Sequence, residues 1–505
     1  MPPAAAPSDT SSSLDPASPP ARYLPKSTRT TICIALAAFF VGWGLTDIRN
    51  RGRYDPARPL NHMTDLTVYT VAGAAFFDGR DPYLVSNPRG WHYLYPPLLA
   101  IVLSPLAKLD SQWQVVIWYF CNLVFAWGCC YESLRFLRLL KPAVPPMAAT
   151  FGTSGAPQPV WGSAPPWLVA SAGAAMLWPA LNCLHRGQVG LLVTYLVLLG
   201  ARLGLGSRSW RGWAAGGCAL ALAVTVKLTP IMPALFLSAM LALPVVMGWN
   251  RRLLAPAAGL VGGIAAGLAL FLLLLPAAAV GWSANLQHLH RFVDLVVLNQ
   301  DVGGGNDLTY HSVRNQSLVN AMYRLGNLVA YECGKGPSDL AEPEEQGPSM
   351  PMDSRFAHDA LLAMRLGLLG LLTAIGWRAA RRGMPLDIAA AFGASCVATL
   401  LISPLSWAHH YLIAAPGLLA VPLWFAWSGR DRFAKNLAYS AVGLIWAHYL
   451  LLDWTGRIGL LGIGTGVWFI AAAVGMLWSK KAKAGEIAKA DESGGADPSP
   501  DLRAA

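Results

Sequence analysis

Runs of about 17 to 25 apolar residues, broken by short polar and basic junctions, recur along almost the whole chain. Each run has the length that a bilayer core about 30 Å thick demands of a helix. The pattern predicts an all-α, polytopic membrane protein of about twelve spans. They fall at about 29 to 47, 112 to 137, 166 to 183, 188 to 205, 211 to 226 and 229 to 248, then at about 253 to 276, 359 to 377, 386 to 402, 411 to 427, 436 to 453 and 459 to 478. PPLLAIVLSPLAKL, about 96 to 109, is apolar but too short to cross, and is assigned as a re-entrant or interfacial helix. A first outer loop then covers about 48 to 95 and carries the amphipathic piece DLTVYTVAGAAFF. A large outer loop covers about 281 to 358, with interfacial helices expected in GWSANLQHLHRF and RNQSLVNAMYRL and a flexible acidic insertion at about 334 to 353. Residues 1 to 28 and 479 to 505 read as disordered tails around a single transmembrane domain, 29 to 478. The first apolar run is followed by TDIRNR rather than a small-residue cleavage site, so it reads as an uncleaved span.

Charge sets the orientation. Of the 505 residues only 13% are charged and 54% are hydrophobic, against roughly 25% charged in soluble domains. The net charge of +11 comes from short clusters between apolar runs, which encode topology and give no sign of nucleic-acid binding. Arg135, Arg138 and Lys141; Arg202, Arg208 and Arg211; Arg251 and Arg252; Arg378, Arg381 and Arg382; Arg430, Arg432 and Lys435; and Lys480, Lys481 and Lys483 all fall on one side if the short helix is not counted as a span. The positive-inside rule makes that side, and both termini, cytoplasmic, with Arg49, Arg51 and Arg53 as exceptions. The expected location is the plasma (inner) membrane, with membrane lipids as surroundings.

The outer side then receives the unusual residues. All ten histidines lie at or near it, together with Asp65, Arg186, Lys227 and Arg314. Asp65 opens an amphipathic segment, where by position alone a carboxylate reads as a helix N-cap. Asp78 and Asp81, in DGRDPY, read as turn residues. HRGQ (185 to 188), VKLTP around Lys227 and SPLSWAHHY (403 to 411) bring several cations to one membrane depth, and an anionic group at the interface, such as a phosphate, is their natural partner. The pairs His288 with His290 and His409 with His410 lack i, i+4 ligand spacing and any Cys or carboxylate companion, so no metal and no cofactor is expected. Asn315-Gln316-Ser317 fits a glycosylation sequon. The eight cysteines show no disulfide framework. A transporter or lipid flippase is the rival from another class, but it calls for ionisable residues near mid-span, where this chain is almost uniformly apolar.

TDLTVYTVAGAAFFDGRDPY, YLYPPLLAIVLSPLA, RGQVG, VKLTP, RNQSLVNAMYR and SPLSWAHHYLIAAPGLL, in that order, resemble glycosyltransferase family 87. The resemblance implies a GT-C type integral membrane enzyme that uses a polyprenyl-phosphate sugar, typically mannose, to build α-1,2 linkages. It implies that Asp65 is the general base, and it matches Trp407, His409 and His410 to the late motif and Lys227 and Gln188 to the short hairpins; we assign these residues, with Arg186, to holding donor phosphate and sugar. Further contacts to donor or acceptor are expected from His62, Tyr69, His92, Tyr95, Arg314, Asn315 and Gln316. The acceptor implied is a glycan or glycolipid, and a polyprenyl-phosphate arabinofuranose donor is the alternative within the class.

Overall fold

The computed structural model describes residues 26–51, 64–87, 90–140, 164–298, 315–322, 355–403 and 405–478. The described chain is helical, and apart from one isolated bridge between Ser86 and His92 it contains no β pairing. Helix α1 (Lys26–Arg51) belongs to a unit of its own that ends at Asn50, and the remainder forms the second unit.

The first described helices of the second unit are α2 (Leu66–Phe77) and α3 (Pro97–Leu103), the latter continued by a 3-10 turn, Ser104–Lys108. A short helix is expected here, and the 12-residue helical segment from Pro97 to Lys108 reaches only about 20 Å. Pro97 supplies the preset φ of a first helical residue, and Pro105 tightens the end of the segment. Then come α4 (Ser111–Leu139), α5 (Pro166–Arg186), α6 (Gly190–Leu205), α7 (Trp210–Val226) and α8 (Ile231–Val246). Helix α9 (Leu254–Leu268) passes through a π-helical turn, Ala269–Leu274, into α10 (Leu275–Val280), and α11 (Trp282–Phe292) follows at once. Asn285 of α11 donates from Nδ2 to Leu272 O, within the π turn, at 2.9 Å. The C-terminal half holds α12 (Arg355–Arg382), α13 (Pro385–Ile402), a 3-10 segment Ala408–Ala414 running into α14 (Ala415–Trp427), α15 (Asp431–Leu450), α16 (Leu452–Ile458) and α17 (Leu460–Trp478).

Seven helical segments among the described residues are long and apolar enough to cross a membrane: Ser111–Leu139, Pro166–Arg186, Arg251–Val280, Asp359–Arg382, Pro385–Ile402, Ala408–Trp427 and Leu460–Trp478. The protein is therefore an all-helical, multi-pass membrane protein. Of the other stretches expected as spans, α6 and α8 have 16 residues each and α7 has 17, below the roughly 20 of a full crossing, while α1, with 26 residues, and α15, with 20, are long enough but are not among the seven.

The bundle is held by close backbone approach and by paired charges, since lipid gives helices no hydrophobic reason to associate. Gly393 of α13 and Gly417 of α14 face each other so tightly that a Cβ on Gly417 would stand 2.6 Å from Gly393 O. Helix α13 is buried along nearly its whole length as a result. Glu132, almost fully buried on α4, pairs with Arg202 of α6, so one residue of the basic clusters also pins two helices together. At the corresponding end of α13, Asp387 accepts from Trp424 Nε1 at 2.6 Å and lies 3.3 Å from Arg382.

In the loop after α2, Asp81 accepts from Tyr83 N at 2.9 Å, the turn role expected of it. It also lies 3.3 Å from Arg291, which ties α11 to the first loop. Asn315 is fully buried, so the folded chain does not present the Asn315-Gln316-Ser317 tripeptide for glycosylation.

Candidate active site

Asp65 occupies the N-cap position of α2, yet its side chain makes no capping hydrogen bond. The cap reading therefore fails, and the reason is the hairpin between α5 and α6. Helix α5 ends at Arg186 because Gly187 takes a left-handed conformation, φ +67°, which only glycine adopts without strain. Gln188 N then reaches back to Cys183 O at 3.0 Å, the wrap that closes many helix C-termini. Trp118 of α4 clamps the turn from outside, its Nε1 donating to Gly187 O at 2.7 Å. The result is a rigid hairpin whose two polar side chains project toward α2.

That hairpin takes hold of Asp65. The Asp65 backbone N–H donates to Arg186 O at 2.7 Å, Gln188 Nε2 donates to Asp65 Oδ2 at 2.7 Å, and Arg186 Nη1 lies 3.5 Å from the same oxygen. Asp65 is only 3% exposed, so the carboxylate is drawn out of water onto charged and polar partners. Tyr69, one turn further along α2, donates from its hydroxyl to Gln188 Oε1 at 2.9 Å, and its oxygen is 3.4 Å from the Tyr95 hydroxyl. Burial, then the neighbouring Tyr95 and Asp65, push the Tyr69 phenol well above its ordinary range, and burial raises Tyr95 to about 12. Both remain protonated, so Tyr69 is a donor at any working pH.

A cationic group completes the cluster. Lys227 stands in extended backbone at the junction of α7 and α8, with its ammonium 5.7 Å from the Tyr95 ring centroid and 2.8 Å from His410 Nε2. Burial pulls the Lys227 pKa down to about 8, against the opposing influence of Cys183 and Asp65. The ammonium can only donate, so His410 Nε2 accepts and the ring proton sits on Nδ1, where Leu405 O lies 3.2 Å away. With that tautomer the 3.3 Å approach of Trp407 N to Nδ1 is a donor meeting a donor, not a bond. The His409 and His410 rings stand edge to face, 4.4 Å between centroids, and His409 Nδ1 meets Asn182 Oδ1 at 3.3 Å. Trp407 carries the Arg186 guanidinium 4.6 Å over its ring and meets Trp91 edge-on at 6.5 Å. Beneath Lys227 and the two histidines opens a small cavity lined also by Gly190, Thr194 and Thr229.

Of the residues expected at the site, Asp65, Tyr69, Tyr95, Arg186, Gln188, Lys227, Trp407, His409 and His410 are joined in this one network. Asn315 and Gln316 lie one step behind it. Asn315 Oδ1 accepts from Ser406 N at 3.0 Å and Gln316 N donates to Ser406 O at 2.7 Å, so this pair shapes the segment that presents Trp407. His92 sits on the bridge with Ser86, and its buried Nδ1 has no hydrogen-bond partner among the described residues. His62 and Arg314 lie outside the described residues. Asn182 and Trp118 escaped the sequence reading. Asn182 carried a signal, a lone amide within an apolar span, which in a membrane marks function or helix contact. Trp118 carried none, since one tryptophan among the apolar residues of α4 looks like any other.

No curated protein and no solved structure matches the chain. The model of glycosyltransferase family 87 matches residues 93–404, more than half of the length. Tyr95, Arg186, Gln188 and Lys227 fall inside the matched stretch, while Asp65 and Tyr69 before it and Trp407, His409 and His410 after it bond to residues within the stretch. The chain belongs to glycosyltransferase family 87 and is a membrane glycosyltransferase, which takes a sugar from a donor to an acceptor.

Proposed function

We propose that the chain moves a sugar, mannose first among the candidates, from a polyprenyl-phosphate donor to a hydroxyl of a glycan or glycolipid, with inversion at the anomeric carbon. The reading extends to a GT-C arrangement of about twelve spans in the plasma membrane, both termini cytoplasmic and the site on the outer face. One observation carries it. A buried carboxylate, Asp65, lies in one cluster with Arg186, Lys227 and His410, although these residues come from four separate parts of the chain.

The cluster has the two functions such a transfer needs. Asp65 takes the proton from the acceptor hydroxyl as its oxygen attacks the anomeric carbon. The bond from that carbon to the phosphate oxygen breaks, and its electron pair leaves with the polyprenyl phosphate. Lys227 and Arg186, with His409 and His410 beside them, stabilise the negative charge that accumulates there, an electrostatic role in a site largely shielded from water. Lys227 donates one of its three protons to His410 Nε2, and the Nδ1 proton of that ring is turned to Leu405 O, so the imidazole holds the ammonium in place while the remaining ammonium protons face the phosphate. The long prenyl tail stays in the bilayer, and the acceptor arrives from the aqueous side.

The test offers radiolabelled polyprenyl-phosphate mannose, polyprenyl-phosphate arabinofuranose and a nucleotide sugar to membranes with and without the chain. Chain-dependent incorporation of mannose from the lipid donor into glycolipid or glycan is the expected result. Incorporation from the nucleotide sugar in membranes depleted of polyprenyl phosphate would overturn the reading.

A further inference from the structure

Gln188 is the residue whose place in the structure differs most from the donor contact expected of it. Both ends of its amide are occupied, and by residues of one helix: Nε2 by Asp65 Oδ2 at 2.7 Å and Oε1 by the Tyr69 hydroxyl at 2.9 Å. Asp65 and Tyr69 are four apart, one turn of α2, so the amide spans a single helical face. We infer that Gln188 is a positioning residue for the base, and that Tyr69 fixes which way round its amide stands.

The direction of the amide follows from donor and acceptor chemistry. An ionised Asp65 accepts only, so the group facing it must be the NH₂. Flipping the amide would set two acceptor oxygens 2.7 Å apart, an arrangement with no proton to share. The Tyr69 phenol, kept protonated by its burial, removes that alternative, because its proton needs the Oε1 acceptor on its own side. Tyr69 thus reads the amide and the amide reads the carboxylate. Gln188 and Arg186 both approach Oδ2, so the plane of the carboxylate is set by two donors on one rigid hairpin, while the backbone bond from Asp65 N to Arg186 O sets its depth. Gln188 itself is buried, 8% exposed, and both its polar ends are engaged within the protein. Correct aim of a base is worth a great deal, since a misplacement of about 1 Å costs on the order of a hundredfold in rate.

The inference rests on Asp65 being the base, and the experiment separates the two. Rates are measured against pH for the detergent-solubilised, full-length protein and for Asp65→Asn, Gln188→Glu, Gln188→Leu and Tyr69→Phe, with donor and acceptor varied independently. Gln188→Glu keeps the size of the side chain but places a second carboxylate against Asp65, and two carboxylates at that distance share a proton. The acid limb of its kcat/KM profile is expected to move up by about one pH unit or more. Gln188→Leu is expected to lower kcat on the order of a hundredfold with donor KM within about threefold. Tyr69→Phe, which removes only the proton that orients the amide, is expected to lose about five- to tenfold in kcat. A raised donor KM in Gln188→Leu, together with an unmoved acid limb in Gln188→Glu, would overturn the inference and return Gln188 to the donor. If Gln188→Leu fails to fold, the Gln188→Glu profile decides alone. An active Asp65→Asn would instead overturn the assignment of the base, and with it the proposed mechanism.

Discussion

Lys227 is the residue whose chemistry is most open to control by pH. Its ammonium is drawn down to about 8 by burial, and in the proposed reaction it acts in its charged form. A lysine with a lowered pKa is charged below that value and neutral above it, so the attraction for a phosphate weakens as pH rises through about 8. The expected outcome is a donor KM that climbs between pH 7.5 and about 9, and Lys227→Arg should flatten that climb because a guanidinium stays charged there. Donor titrations at three pH values check it, and an identical climb in Lys227→Arg would assign the alkaline limb to another group. Lys227 was legible in the sequence as a cation surviving on the outer side against the topogenic bias. Its bond to His410, 183 positions away, was not, since no spacing rule connects such distant residues. Asp65 shows the opposite limit: its position alone argued for a cap, the resemblance argued for a base, and its side chain makes no capping bond and is held by Gln188 instead.

At the scale of elements, the decisive piece is the hairpin between α5 and α6. Gly187 there has φ +67°, and a Cβ built on it would stand 3.2 Å from the Thr64 side chain, directly beside Asp65. Gly79 makes a useful contrast, for its φ is +68° with nothing within 4 Å of a Cβ. A left-handed non-glycine residue costs about 1 to 2 kcal/mol at either place. Only Gly187→Ala also pushes Thr64 and the hairpin apart. We expect at least a tenfold loss of kcat, roughly the effect of a sub-ångström misplacement, in Gly187→Ala and less than about twofold in Gly79→Ala, checked by initial rates on equal amounts of folded protein. Equal losses in both would show that backbone strain, rather than the approach to α2, governs the site. The existence of most helices was readable from apolar runs. The π turn at Ala269–Leu274 was not, because an unbroken apolar run carries no mark of where its helix widens or of the carbonyl that Asn285 reaches.

For the whole molecule, the open quantity is which face of the membrane each junction meets. By the positive-inside rule the basic clusters predict the α6–α7 junction inside and the first loop outside. Leu84 of that loop and Arg208 of that junction are both exposed, so a cysteine at either place is reachable from its own side. In a chain freed of its native cysteines, a membrane-impermeant maleimide applied to intact cells is expected to label Leu84→Cys and not Arg208→Cys until the membrane is opened. The reverse pattern would put the site in the cytoplasm and remove the case for a lipid-linked donor. The all-helical class and the short helix at Pro97–Lys108 followed from run lengths alone, whereas the number of crossings did not. Helices of 16 or 17 residues, such as α6, α7 and α8, fall between a span and a buried segment, and length cannot decide between them.

These scales meet at one carboxylate, and the most direct measurement is transfer by purified Asp65→Asn from a polyprenyl-phosphate sugar, alongside donor binding. Asparagine keeps the size of the side chain but cannot take a proton. The predicted result is a fall in transfer of at least about a hundredfold, the usual contribution of a general base, with donor affinity retained. Transfer within about tenfold of the parent would contradict the assignment of Asp65 as the base.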